Sequence, residues 1–222
     1  MNEMGNNKQY KIDFDGPYMM SIDGQLVGSN STFEVYNPAS GAVIVQAPAG
    51  SKDQMEEAIA SAKKAQPAWA ALSHAERSSY VSAYADALDA NIEDIITLLT
   101  TEQGKPRHSM AKTEVEAAIF WVREVAKREL KSEIIEENED HVVEISHTPL
   151  GVVGAITPWN FPILLGLWKI APCLITGNTM VMKPSPYTPL GTLRFGEIAQ
   201  KVFPPGVLNI VSGGNEQGQW MT

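Results

Sequence analysis

Over the first fifty residues, apolar and polar positions alternate in short runs, which predicts strands and turns rather than helices. The segment "SIDGQLVG" places an Asp-Gly pair between Ile22 and Leu26, a hairpin signal. "VYNPASGAVIVQAPAG" adds another turn and strand. From Ser51 the spacing lengthens to that of helices. Ser51 and Gln54 have capping-box spacing, and Met55, Ala58, Ile59 and Ala62 repeat on one face until Pro67, where the helix is expected to stop. Ser73 and Glu76 form a second capping box ahead of Val81, Tyr84 and Leu88. A third stripe, Ile92, Ile95, Ile96 and Leu99, is closed by Gly104 and Pro106. A fourth helix carries Val115, Ala118, Ile119, Val122 and Val125.

The pattern then changes twice. "SEIIEENEDHVVEIS" is an acidic turn between two short strand-like runs, and it reads equally as a solvated surface hairpin or as an arm that pairs with a second subunit. From Pro149 the chain alternates strand and helix. "GVVGAIT" (151–157) is an apolar run of the kind buried in a parallel sheet. Pro162 suits the first turn of a helix running toward Gly177 and Asn178. "TMVMK" (179–183) is a second strand, Thr188 is a candidate N-cap with Pro189 at the first helical position, and "VLNIV" (207–211) is a third strand. A further helix is expected to open within "GGNEQGQWMT". Strand–helix–strand repeats of this length predict right-handed crossovers and an α/β fold with a parallel sheet. The dinucleotide fingerprint G-x-G-x-x-G does not occur, and the glycines of "GGNEQG" alone are a weak phosphate signal.

Composition narrows the function. With 222 residues and 44% hydrophobic content there is ample material for a core. The formal charge of -9 disfavours nucleic acid and anionic membranes as partners. No apolar stretch reaches the roughly 20 residues of a membrane span. The N-terminus has no basic start followed by an apolar run, so no signal peptide is expected. His74, His108, His141 and His147 show no metal-ligand spacing, with or without Cys173, so no metal site is expected. The single cysteine fits a reducing compartment, and a cytoplasmic location is expected. Cys173 lies mid-helix among Ile170, Leu174 and Ile175, with no cation to lower its pKa, which marks it as structural rather than nucleophilic.

"TPLGVVGAITPWNFP", "KIAPCLITGNTMVMKPSPYTPL" and "PPGVLNIVSGGNEQG", in that order over residues 148–222, closely resemble the aldehyde dehydrogenase superfamily. "VYNPASGAVI", "AQPAWAALSHAER" and "EQGKP" agree more loosely. The resemblance implies a Rossmann-like parallel sheet, present in part. It divides the chain into N-terminal strands and helices of the cofactor-binding domain (1–131), an oligomerisation hairpin (132–148) and the first half of the NAD(P)-binding sheet (149–222). It also implies oxidation of an aldehyde to an acid through a cysteine thioester, with the nucleophile and the general-base glutamate beyond residue 222. The 222 residues alone are then expected to be inactive. A non-catalytic nucleotide-binding or interaction module is the alternative.

Residue by residue, Asn160 matches the family's oxyanion asparagine, whereas residue type alone reads it as a helix N-cap. Ile156, Thr157, Pro158 and Trp159 correspond to the cofactor cleft, with core packing as the other role for Trp159. Lys183 matches the lysine that hydrogen-bonds the adenosine ribose, against a solvated strand end, and Ser185 lies beside it. Pro186 stands where the family often has a ribose-binding glutamate. NAD is the expected cofactor, with NADP admitted because proline does not repel a 2′-phosphate. Gly214 and Gly218 match glycines on the adenine side, or else form a helix-start turn. Phe161, Leu165 and Trp168 are the residues here that could reach an aldehyde, whose identity the sequence leaves open. A homodimer or homotetramer is expected for the complete enzyme. Three parallel strands with one side uncovered would expose an edge, so the isolated chain is expected to self-associate.

Overall fold

A computed structural model describes residues 7–222, and the leader reading of residues 1–6 lies outside the described residues. The described residues open on a four-residue helix, α1 (Asn7–Tyr10), which the strand-and-turn reading did not anticipate. β1 (Met20–Ile22) and β2 (Gln25–Val27) then pair antiparallel across Asp23 and Gly24, whose φ values are 49° and 72°. This positive-φ turn continues the right-handed strand twist, and Asp-Gly adopts it at low cost. β3 (Ser31–Tyr36) and β4 (Val43–Ala49) form a separate antiparallel ribbon.

Four helices follow: α2 (Lys52–Ala71), α3 (His74–Asp89), α4 (Ile92–Gln103) and α5 (Lys112–Ala126). Both expected capping boxes form, at Ser51 with Gln54 and at Ser73 with Glu76. The apolar stripes of α3, α4 and α5 are buried, and Gly104 closes α4 in the left-handed conformation. Pro67 does not stop α2. A proline inside a helix forfeits one backbone hydrogen bond. Two residues on, Trp69 is buried and donates Nε1–H to the Leu174 carbonyl at 3.0 Å, and this anchorage holds the last turn in place. Between α4 and α5 lies a π-helical turn, Arg107–Ala111, for which the sequence carried no signal.

The second half delivers the alternating elements: β7 (Val152–Ile156), α6 (Pro162–Ile175), β8 (Thr179–Lys183), α7 (Leu190–Ala199), β9 (Leu208–Ile210) and α8 (Asn215–Gln219). β7, β8 and β9 are parallel neighbours, and the five-stranded sheet runs β2-β1-β9-β8-β7. β8 is buried throughout. The run at 151–157 is parallel but not fully buried: β7 is the last strand in the order and its Ile156 is 50% exposed. The other flank of the parallel strands is covered, because β1 pairs antiparallel with β9 at Ser21↔Ile210. Side-chain alternation sends Thr179 to one face, where its hydroxyl donates to Ala62 of α2 at 2.9 Å. Ile210 faces the other side, against Gly196 of α7. The sheet is thus sandwiched between α2 and the crossover helices.

Thr188 is not the cap of α7. Pro189 occupies the N-cap position, and the Thr188 hydroxyl is buried without a partner. Glu102, from the end of α4, instead accepts from the Leu190 and Gly191 amides, each at 2.8 Å. A carboxyl group brings two oxygens to two orphan amides, where a threonine brings one. β5 (Glu133–Glu137) and β6 (Val142–Ile145) form a hairpin in which every residue is exposed. Among the described residues, no helix is long and apolar enough to cross a membrane.

Candidate functional site

The connections that leave the carboxyl ends of β7, β8 and β9 converge, as is usual where open α/β sheets hold ligands. Between them lies a cavity of about 720 Å³. Ile156 and Thr157 line it from β7, Lys183, Ser185 and Pro186 from β8, and Gly214 and Gly218 from the turn after β9 and from α8. Pro158 and Trp159 lie on the same β7–α6 connection but outside this cavity. Trp159 is 54% exposed, so it is not a core residue. It lines an adjoining apolar groove of about 460 Å³ together with Tyr36, Tyr187 and Pro186, the last two of which border both spaces.

Lys183 is not a solvated strand end; the residue is only 4% exposed. Its Nζ donates to the carbonyls of Pro184 at 2.8 Å and Gly213 at 3.0 Å. An ammonium has three protons, so one remains for a ligand. Burial disfavours the charged form and pulls the pKa below the ordinary lysine value. Thr157 Oγ1 is buried in the cavity wall with no partner, an orphan hydroxyl of the kind a ligand satisfies. Ser185 accepts from the Tyr187 amide at 3.3 Å and keeps its own proton to donate. Gly218 leaves room: a Cβ there would stand 3.5 Å from Lys183 Cε and 3.8 Å from Ile156 Cδ1. Gly214 is less constrained, since a Cβ would meet only Gln217 Oε1, at 4.0 Å.

The glycine this turn requires is Gly213, which the sequence reading did not single out. Its φ is 150°, and a Cβ would lie 2.3 Å from Gln217 Cδ. Its carbonyl is also one of the two that hold Lys183. The signal was the doubled glycine of "GGNEQG". The reading also missed Lys105, Glu114 and Glu102, although "EQGKP" contains two of them.

Asn160 is exposed on the β7–α6 connection and does not cap α6. Phe161 holds the N-cap position and makes no side-chain cap bond. The first free amides of α6, those of Ile163 and Leu164, donate to Glu114 Oε1 at 3.0 and 3.1 Å. The Asn160 carbonyl accepts from Lys105 Nζ at 2.7 Å. Cys173 is buried, with Sγ 3.7 Å from the Thr179 carbonyl oxygen, and burial pushes its thiol pKa up to about 12. At neutral pH it is a protonated, packed thiol. Among the described residues, no three His, Cys, Asp or Glu side chains gather to hold a metal.

The donor set fits a dinucleotide's sugar. A buried ammonium and a serine hydroxyl border a space kept open by glycine, and an unpartnered threonine hydroxyl is buried in its wall. Among the described residues no Asp or Glu lines it, so none of these repels an additional phosphate.

Comparisons with known proteins point to one family. The aldehyde dehydrogenase family profile matches residues 26–222. A long-chain-aldehyde dehydrogenase from Acinetobacter sp is 38% identical over 219 residues, covering 96% of this chain and 44% of that protein. The crystal structure of PnpE in complex with nicotinamide adenine dinucleotide superposes with a TM-score of 0.87 at 33% identity, over 91% of this chain and 43% of that one. An NADP-dependent enzyme of E. coli superposes with a TM-score of 0.84 at 33% identity, over 89% and 42%. The chain therefore spans less than half the length of the relatives it matches. The extent of the profile match, together with the shared α/β fold, establishes that this chain belongs to the aldehyde dehydrogenase family.

Proposed function

We propose that this chain is the N-terminal cofactor-binding part of an NAD(P)-dependent aldehyde dehydrogenase, which oxidises an aldehyde to a carboxylic acid through a cysteine thioester. The observation that carries the reading is the cavity at the strand ends, where Lys183 keeps one free N–H, Thr157 has an unpartnered hydroxyl and Gly218 leaves a gap. When bound, the dinucleotide supplies the hydride acceptor. Lys183 and Ser185 hold its ribose by hydrogen bonds. Thr157 offers a further polar contact, and Gly218 lets the ligand approach the backbone. Asn160 donates its amide N–H to the oxygen that gains charge when the thiolate adds to the aldehyde. An amide suits that role because it stabilises the anion without exchanging a proton.

NAD is the preferred cofactor in this reading, and Pro186 leaves NADP admissible. The apolar side chains on the exposed hairpin, Ile134, Ile135, Val142, Val143 and Ile145, support its assignment as the arm of a homodimer or homotetramer. A lone buried thiol suits a reducing cytoplasm. The 222 residues by themselves are inactive in aldehyde oxidation, and turnover by the pure polypeptide would refute that assignment.

The first test is the intact mass of the native protein. A mass near twice the 24.2 kDa of these residues supports the reading, and a mass of 24.2 kDa favours a non-catalytic nucleotide-binding module. Asn160→Ala in the complete enzyme should raise the barrier by about 2.7–4 kcal/mol, the range for loss of one oxyanion donor, with cofactor affinity unchanged.

A further inference from the structure

The exposed Asn160 is held through its backbone. Its carbonyl oxygen accepts a hydrogen bond from Lys105 Nζ, 55 residues earlier in the chain, at 2.7 Å. Lys105 sits where the chain leaves α4, and its side chain is 8% exposed. Its Nζ has three directed partners: the Glu114 carboxylate, the Asn160 carbonyl and the face of the Phe161 ring, whose centroid is 3.6 Å away. Glu114 is fully buried. One of its oxygens meets Lys105 and the other takes the amides of Ile163 and Leu164. One ion pair thus grips the chain on both sides of Phe161, the carbonyl before it and the first turn of α6 after it. Buried ion pairs are poor sources of stability, because desolvation offsets their attraction and apolar substitutes often serve as well. What this pair supplies in addition is direction, since each bond fixes an atom of the segment that carries Asn160.

We infer that Lys105 is a positioning residue for the reaction: tied to Glu114, it sets the backbone at Asn160 and so aims the Asn160 carboxamide at the reacting oxygen. The inference rests on the oxyanion reading of Asn160.

The test uses the complete enzyme and the double substitution Lys105→Met/Glu114→Gln. This removes both charges together, so neither is left buried and unpaired, and it keeps an acceptor oxygen for the α6 amides. Turnover is expressed per active site, counted from the burst of the first turnover, so that a loss of folded enzyme does not register. The expected result is a fall in kcat of up to about 100-fold, the scale of a misplacement near 1 Å, with the dissociation constant for NAD unchanged. In an Asn160→Ala background the same pair of changes should cost almost nothing further, because the group being aimed is gone. Three results overturn the inference. One is an unchanged kcat per site in the double variant when Asn160→Ala is strongly impaired, which leaves the oxyanion reading standing. Another is a full additional loss in the Asn160→Ala background, which marks the pair as general scaffolding. The third is an Asn160→Ala enzyme with normal kcat, which removes the oxyanion reading and the positioning role together.

Discussion

Replacing Lys183 with methionine tests the cofactor site most directly. Methionine keeps the length and apolar stem of lysine, so the change removes the ammonium without opening a large hole. In the structure that ammonium spends two protons on the carbonyls of Pro184 and Gly213, which leaves one for a ligand. Hydrogen bonds from charged donors contribute about 1.5–3 kcal/mol. Loss of one to the ribose should therefore weaken NAD binding by roughly 10- to 150-fold. Without ligand, the effect on stability is small, because two losses and one gain compete. Two buried carbonyls lose a donor, while a desolvated charge is no longer buried. The discriminating assay is therefore the stabilisation that NAD itself provides. At a concentration of 100 times Kd a ligand stabilises by about 2.7 kcal/mol. If Kd rises 100-fold, the same concentration provides only about 0.4 kcal/mol, so the NAD-dependent rise in melting temperature should almost vanish. An equal NAD-dependent shift in Lys183→Met and the parent would mean that the third proton does not face the cofactor, and the ribose assignment would fall. The lowered pKa adds a pH signature. Binding should weaken on the alkaline side before the ordinary lysine pKa is reached, because the proton that makes the contact leaves earlier.

Gly218→Val should fold but lose NAD stabilisation: a Cβ fits at 3.5 Å from Lys183 Cε, while the branching methyls reach into the cavity, and retained binding in a thermal-shift titration would show that the space is not used. Burial pushes the Glu102 carboxyl up to about 8 from its usual 4.5, so the folded chain holds a proton that the unfolded chain releases as pH rises between those values. Linkage then requires this group's contribution to stability to fall across that window, and urea midpoints from pH 5 to 9 should show a decline that Glu102→Gln removes; parallel curves for the two proteins would contradict it. Ile135→Lys with Val143→Lys on the exposed hairpin should leave the fold intact while lowering the oligomer mass of the complete enzyme in light scattering, and an unchanged mass would remove the hairpin from the interface.

What was legible in the sequence was local. The capping boxes at Ser51 and Ser73, the Asp23-Gly24 turn and β8 depend on residues within a few positions of each other, and all four form where the pattern puts them. The failures share a physical origin in partners far away along the chain. Pro67 should break α2, but Trp69 is tied to Leu174, 105 residues on. Thr188 has the chemistry of an N-cap, but Glu102 arrives from α4 with two oxygens. Asn160 and the cavity-lining residues were nameable because the family motifs fix them. Lys105 and Glu114 were not, because a lysine in a Gly-Lys-Pro turn and a glutamate on a helix look like ordinary solvated positions until the fold buries them together.

Glu102 and Glu114 also explain why a parallel sheet of this kind carries no G-x-G-x-x-G. In that fingerprint the glycines let a pyrophosphate settle on the first amides of the helix after the strand. Here those amides are already taken. Leu190 and Gly191 at the start of α7 donate to Glu102, and Ile163 and Leu164 at the start of α6 donate to Glu114. Both carboxyl groups come from helices that precede the parallel strands in sequence, so α4 and α5 close two of the positions where a dinucleotide would otherwise place its phosphates. A phosphate brought to either helix start would have to displace a buried carboxyl group whose oxygens already meet two donors at Glu102 and three at Glu114. In the proposed function the dinucleotide's sugar would take the cavity beside Lys183 and Gly218, where donors remain free. The N-terminal helices therefore do more than cover the sheet: through Glu102 and Glu114 they occupy the first free amides of two helices that follow its parallel strands.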